Sequence, residues 1–222
     1  MKDGDGRGTT QYAALVDEAL TFAARAHARQ ERKATDIPYI VHPVGVMLAL
    51  LESGENDPEL LAAALLHDTV EDTGVTLAEL REKFGTRVAE IVAGCSEPDK
   101  RDTWEARKQH TVAYLKNAPR AIQLVSAADK LHNIRSMAAD YAEQGDALWS
   151  RFKRGRADIA WYYRAVTASL KEGELRDHPL IRQLDETVKM FFGEEARSVT
   201  LQAWLTLPRP RRTFSPFRPT AG

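Results

Sequence analysis

Apolar residues recur at three- and four-residue spacing along most of this chain, and no stretch alternates convincingly with period two. Tyr12, Leu15, Val16, Ala19, Leu20, Ala23 and Ala24 make one helical face that the spacing carries to about Arg29. The polar run from Glu31 to Asp36, closed by Pro38, reads as a loop. A helix from about Pro43 carries Val46, Met47, Leu50 and Leu51 and stops at Ser53-Gly54. Asp57-Pro58 then supplies an N-cap and a first-turn proline for a segment reaching Asp72. That segment is apolar nearly all round from Leu60 to Leu66, the mark of a buried central helix. Thr76 and Glu79 have the spacing of a capping box and open a helix to Gly85. Further helices are expected from Thr86 to about Ala93, Trp104 to Lys116, Pro119 to about Ala139, Leu148 to Lys171 and Pro179 to Phe192. With glycine and proline read as falling between these patterns, the expected architecture is all-α, a compact helical bundle.

Composition narrows the function. A chain of 222 residues that is 43% hydrophobic can bury a core of its own. Its 31 basic and 32 acidic residues argue against a dedicated partner for long nucleic acid or a membrane surface. Cys95 is the single cysteine, so neither an internal disulfide nor a thiolate zinc site is expected. Residues 1–10 are polar and glycine-rich, without the apolar stretch of a secretory signal, and Leu60 to Leu66 is too short to cross a bilayer. These features predict a cytoplasmic protein with a leader over 1–10, one domain over 11–195 and a Pro/Arg-rich tail over 196–222. Residues 201–222 hold four Arg, four Pro and no acid, so residues 1–200 carry a net charge of −5.

The residues that packing does not explain are His67, Asp68, Glu71 and Asp72. On a continuous helix, His67 and Glu71 are four apart, as are Asp68 and Asp72, which puts four polar side chains on one flank of an apolar helix. Three carboxylates buried without a counter-charge would be severely unfavourable, and a divalent cation removes the problem. Two adjacent ligands do not hold a metal, so others must come from elsewhere. His42 between Val41 and Pro43 is one candidate, and Asp129 within Leu124-Val125-Ser126-Ala127-Ala128-Asp129 is another.

These positions lie in longer motifs: Ala23-Ala24-Arg25-Ala26-His27, Arg32-Lys33, Pro38-Tyr39-Ile40-Val41-His42-Pro43, Ala63 to Thr73 with its His67-Asp68-Thr69-Val70-Glu71-Asp72-Thr73 run, and Ala128-Asp129-Lys130-Leu131-His132-Asn133. Together they resemble the HD-domain metal-dependent phosphohydrolases, and within them the RelA/SpoT-type alarmone hydrolases of the small stand-alone, metazoan SpoT-like kind. The resemblance spans about Tyr12 to Leu170. It implies an HD-domain bundle in which His42, His67, Asp68 and Asp129 bind one divalent ion between core helices, Mn2+ or else Fe2+. It implies that Glu71 and Asp72 orient and deprotonate water, that Arg32 and Lys33 meet substrate phosphates, and that Lys130 and Asn133 line the nucleotide pocket. The implied reaction removes pyrophosphate from the 3′ position of guanosine 3′,5′-bis(diphosphate), or of its pentaphosphate analogue, leaving GDP or GTP. A different nucleotide phosphohydrolase on the same site, such as a 2′- or 3′-nucleotide phosphatase, and a non-catalytic alarmone-binding module are the alternatives. The run Arg151 to Arg156 is either an exposed helix start or part of polyphosphate recognition. His27 reads as a structural histidine beneath the metal site, while His110, His132 and His178 are unassigned.

Overall fold

The computed structural model describes residues 6–33, 35–97 and 101–193, with side chains from residue 13 onward. The expected tail over 196–222 and the first five residues of the expected leader lie outside the described residues.

Ten α-helices are described, with no β-ladder among the described residues beyond one isolated bridge between Glu31 and Pro38. Helix α1 (Gly6–Ala26) starts inside the stretch read as leader and stops three residues short of Arg29. Helix α2 (Val41–Glu52) ends, as the spacing predicts, at Ser53 and Gly54, where Gly54 takes φ 94° at no Cβ cost. In α3 (Pro58–Leu66) the Asp57 carboxylate accepts a hydrogen bond from the Glu59 amide. A nine-residue helix is too short to be stable alone in water. What holds α3 is burial: every residue from Leu60 to Leu66 is at most 2% exposed. Each buried Leu contributes about 1.5–3 kcal/mol, well beyond any difference in helix propensity.

The predicted single helix over 58–72 is interrupted. The chain turns at His67 and Asp68 before a separate one-turn helix α4 (Thr69–Asp72). Thr69 fixes this turn by donating its hydroxyl hydrogen to the Leu66 carbonyl at 2.7 Å. Helix α5 (Leu77–Phe84) carries the full capping box of Thr76 and Glu79, and Gly85, at φ 89°, turns the chain into α6 (Thr86–Cys95). Helix α7 (Trp104–Leu115) follows, capped by the Thr103 side chain.

Helix α8 (Arg120–Gln144), 25 residues, is the longest among the described residues and packs against α2, α3, α6, α9 and α10. The helix expected from Leu148 begins instead as a 3-10 segment (Gly145–Arg151), and α9 (Arg156–Leu170) starts only after a bend at 152–155. Gly145 in the left-handed region (φ 58°) ends α8 and sets up this change of direction. Helix α10 (Pro179–Phe192) closes the bundle against α8 and α9.

Glycines do sit within helices, Gly6 and Gly8 in the first turn of α1 among them, and at two of these positions packing supplies the reason. Gly45 is inside α2 and Gly94 inside α6, because another side chain occupies the space a Cβ would need: His132 at Gly45, Ile122 at Gly94.

Candidate metal centre

Three segments bring the site together. The loop before α2 folds back on itself, Arg32 N–H donating to the Ile37 carbonyl and Tyr39 N–H to the Gln30 carbonyl, both at 2.8 Å. This short pairing aims Arg32, Tyr39 and His42 inward. The turn between α3 and α4 supplies His67 and Asp68, and α8 supplies Asp129, Lys130, His132 and Asn133. Both side chains of the turn reach the centre, His67 Nε2 and Asp68 Oδ2 lying 3.0 Å apart.

His42, His67 and Asp129 each offer a ligand atom, and these atoms lie within 4.8 Å of one another. Asp68 joins them: its Oδ2 is 3.0 Å from His67 Nε2 and 3.4 Å from His42 Nε2, while Asp129 Oδ1 is 3.2 Å from His42 Nε2. His67 Nδ1 donates to the Ala64 carbonyl at 2.8 Å, leaving Nε2 to the centre, and that buried Nε2 makes no hydrogen bond despite the nearby carboxylate oxygen. A buried imidazole nitrogen without a hydrogen bond, facing carboxylate oxygens and a second imidazole, is a donor set that fits a divalent cation.

Burial alone would raise the pKa values of Asp68 and Asp129. The imidazoles of His67 and His42 hold Asp68 well below the usual carboxylate range, and the Lys130 ammonium with His42 does the same for Asp129. Burial works against charge on His67, but the Asp68 carboxylate outweighs it and lifts the imidazole to about 9. In the metal-free protein a proton and a cation therefore compete for this nitrogen. Lys130 is raised despite its burial, through Asp129, so it remains cationic.

Each expected site residue has a definite place. Arg32, His42, His67, Asp68, Glu71, Asp129, Lys130 and Asn133 line one cleft of about 580 Å³. Arg32 donates to Asn133 Oδ1 at 2.7 Å, and the Asn133 amide in turn donates to Asp129. Lys33 and Asp72 are not in the cleft wall. The Lys33 ammonium sits 5.2 Å from the ring centre of Phe152, and Asp72 is exposed, its Oδ2 3.3 Å from the Tyr39 hydroxyl. One step along α4 turns Asp72 away from the side that Glu71 presents.

The three arginines of the basic run are committed to structure. Arg151 pairs with Asp140 and Gln144, Arg154 with Glu105 and the face of Trp104, and Arg156 with the Phe191 carbonyl. None of the run lines the cleft.

Four groups were not anticipated. Tyr39 donates to Asp68 Oδ2 at 2.6 Å, and its motif position beside Pro38 was visible. His132 Nδ1 lies 2.9 Å from His42 Nδ1, and its spacing of three from Asp129 was the available signal. Lys108 and Glu97, ion-paired with each other in the cleft wall, left no sequence signal. Cys95 also lines the cleft, where burial pushes its thiol up to about 12, which disfavours the thiolate in the metal-free protein. His27, whose Nδ1 pairs with Gln30, packs its ring 4.7 Å from that of Tyr39.

Comparison with known proteins agrees with this geometry. An HD domain family model matches residues 19–161. The human protein named guanosine-3′,5′-bis(diphosphate) 3′-pyrophosphohydrolase MESH1 is 43% identical over 84% of this chain and 98% of its own length. The Xenopus tropicalis protein of the same name is 38% identical over 77% and 96%. A solved structure described as a metazoan ortholog of SpoT that hydrolyzes ppGpp superposes with a TM-score of 0.67 at 27% identity, over 80% of this chain and 95% of that one. No described helix is long and apolar enough to cross a membrane. The chain therefore belongs to the HD domain family, alongside the guanosine-3′,5′-bis(diphosphate) 3′-pyrophosphohydrolases named MESH1.

Proposed function

We propose that this protein hydrolyses guanosine 3′,5′-bis(diphosphate) at the 3′ position, releasing pyrophosphate and GDP, with one divalent ion held by His42, His67, Asp68 and Asp129. The observation that carries the reading is the convergence, in one cleft, of this nitrogen and oxygen donor set with the Glu71 carboxylate and the Arg32 and Lys130 cations, beside the Lys108–Glu97 ion pair. The ion supplies Lewis-acid activation of water and of the phosphoryl group. With no thiolate in the set, Mn2+ is the proposed ion, and Fe2+ fits the same donors.

Glu71 takes the proton of the attacking water, as a general base within the cleft. Asp72 acts at a distance, through the Tyr39 hydroxyl that it shares with Asp68. Lys130 and Arg32 offset the charge of the substrate phosphates, and Asn133 keeps Arg32 and Asp129 in register. Lys33, outside the cleft wall, contributes at most long-range charge. The relatives' names specify the guanosine substrate, and their coverage of this chain supports carrying it over. A soluble setting in the cytoplasm accompanies this proposal, since the substrate is a small intracellular type of nucleotide.

The test is a nucleotide panel with purified protein, chelated and then reloaded with single metals. Pyrophosphate and GDP from guanosine 3′,5′-bis(diphosphate), restored by Mn2+, are expected. Release of inorganic phosphate from 2′- or 3′-mononucleotides instead would overturn the substrate, and nucleotide binding without turnover would overturn the enzyme.

A further inference from the structure

Gly45 occupies the middle of α2, where glycine costs roughly 1 kcal/mol relative to alanine. A Cβ there would lie 2.0 Å from His132 Cδ2 and 2.1 Å from Nε2, far inside any real contact. The His132 ring is thus laid directly on the α2 backbone. From that seat its Nδ1 reaches His42 Nδ1 at 2.9 Å, with the two ring centres 4.9 Å apart.

One hydrogen lies between these two nitrogens. If His132 held it, the His42 proton would sit on Nε2 and face Asp68 and Asp129, and no lone pair would be left for an ion. If His42 holds it on Nδ1, Nε2 is free to coordinate. His132 accepts in that second arrangement, with its own hydrogen on Nε2.

We infer that His132, seated by Gly45, is a positioning residue that selects the metal-binding tautomer and ring orientation of His42. The inference rests on the reading of His42 as a ligand. It explains why α2 keeps a glycine at a position whose helix would be better served by alanine, and it separates the role of His132 from ring packing alone.

The measurement is Mn2+ affinity, titrated by loss of the free-ion electron paramagnetic resonance signal, with metal-free circular dichroism as the check on folding. His132→Leu keeps the bulk and removes the acceptor; it is expected to weaken Mn2+ binding by about 10- to 100-fold. His132→Asn restores an acceptor near the Nδ1 position and is expected to bind within about threefold of the parent protein, on the scale of a weak perturbation. Gly45→Ala displaces the ring and is expected to weaken binding as His132→Leu does, although alanine is the better helix former. In a His132→Ala background the same Gly45→Ala change should cost nothing further, since the clash is gone. Unaltered affinity in folded His132→Leu, or His132→Asn as weak as His132→Leu, overturns the inference while leaving the metal site intact. A parent protein that takes up no stoichiometric Mn2+ overturns the ligand reading itself and this inference with it. Should His132→Leu not fold, the pair of Gly45→Ala measurements decides the question.

Discussion

The Tyr39 hydroxyl stands 2.6 Å from Asp68 Oδ2, the same oxygen that lies 3.0 Å from His67 Nε2. Burial and the Asp68 charge push the phenol far above its ordinary pKa, so it stays a hydrogen donor at every working pH. Tyr39→Phe leaves Asp68 ionised but free to swing. We expect metal affinity to fall by about tenfold, the lower end for a lost partner behind a ligand, with little change in fold. Calorimetric metal titration checks this, and an affinity equal to the parent's would show that Asp68 needs no such anchor.

Glu71 lines the cleft but is not one of the clustered ligand groups, so the two roles separate by substitution. Glu71→Gln should retain metal and lose turnover by about 10²- to 10⁴-fold. Asp72→Asn, exposed and outside the cleft wall, should lose much less. Metal content by elemental analysis, measured beside the rate, tells base from ligand: metal lost from Glu71→Gln would make it a ligand.

His67 at about 9 has a definite pH signature. Its folded pKa lies above its ordinary 6.5, so the stability it contributes to the metal-free protein is complete below about 6.5 and lost as pH rises to about 9. A cation must displace that proton. Metal affinity should therefore rise up to about tenfold per pH unit as pH climbs toward about 9 and level off above it, with one proton released per ion below about 9. Calorimetry in buffers of unlike ionisation heat counts the proton; no buffer dependence would contradict a protonated His67.

Arg32 and Arg154 each belong to a basic cluster in sequence, yet of the two only Arg32 lines the cleft. Arg32→Ala is expected to raise KM at least about tenfold, the scale of a charge-assisted contact. Arg154→Ala, which breaks an exposed pair with Glu105, should leave KM within about twofold. Equal effects on KM would return the basic run to the binding surface.

The helices were legible because their apolar spacing, caps and terminal glycines act locally. The capping box at Thr76 and Glu79 and the proline start at Pro58 each stood in a few adjacent residues. What stayed hidden depended on distance. The break after Leu66 is invisible in a pattern that stays helical, since the turn geometry comes from Thr69 and the burial of α3. Likewise the glycine at 45 makes sense only once a ring from residue 132, on another helix, is seen to rest on it. The proposed ligand set came from family motifs, whereas Asp72 and Lys33 shared those motifs and lie off the cleft wall: a motif fixes sequence order, and facing is decided by one helical step or one loop residue.

Asp129, Lys130, His132 and Asn133 fall within a five-residue stretch of α8, a rod about 37 Å long. One element thus carries a proposed ligand, the group behind a second proposed ligand, a cleft-lining cation proposed to meet phosphate, and the hydrogen-bond partner of Arg32. Any drift of that rod along its axis moves all four together, so ion retention and substrate fit are inherited as a single trait. Freedom to diverge toward another nucleotide lies on α7, where Lys108 and Thr111 line the cleft without sharing the rod.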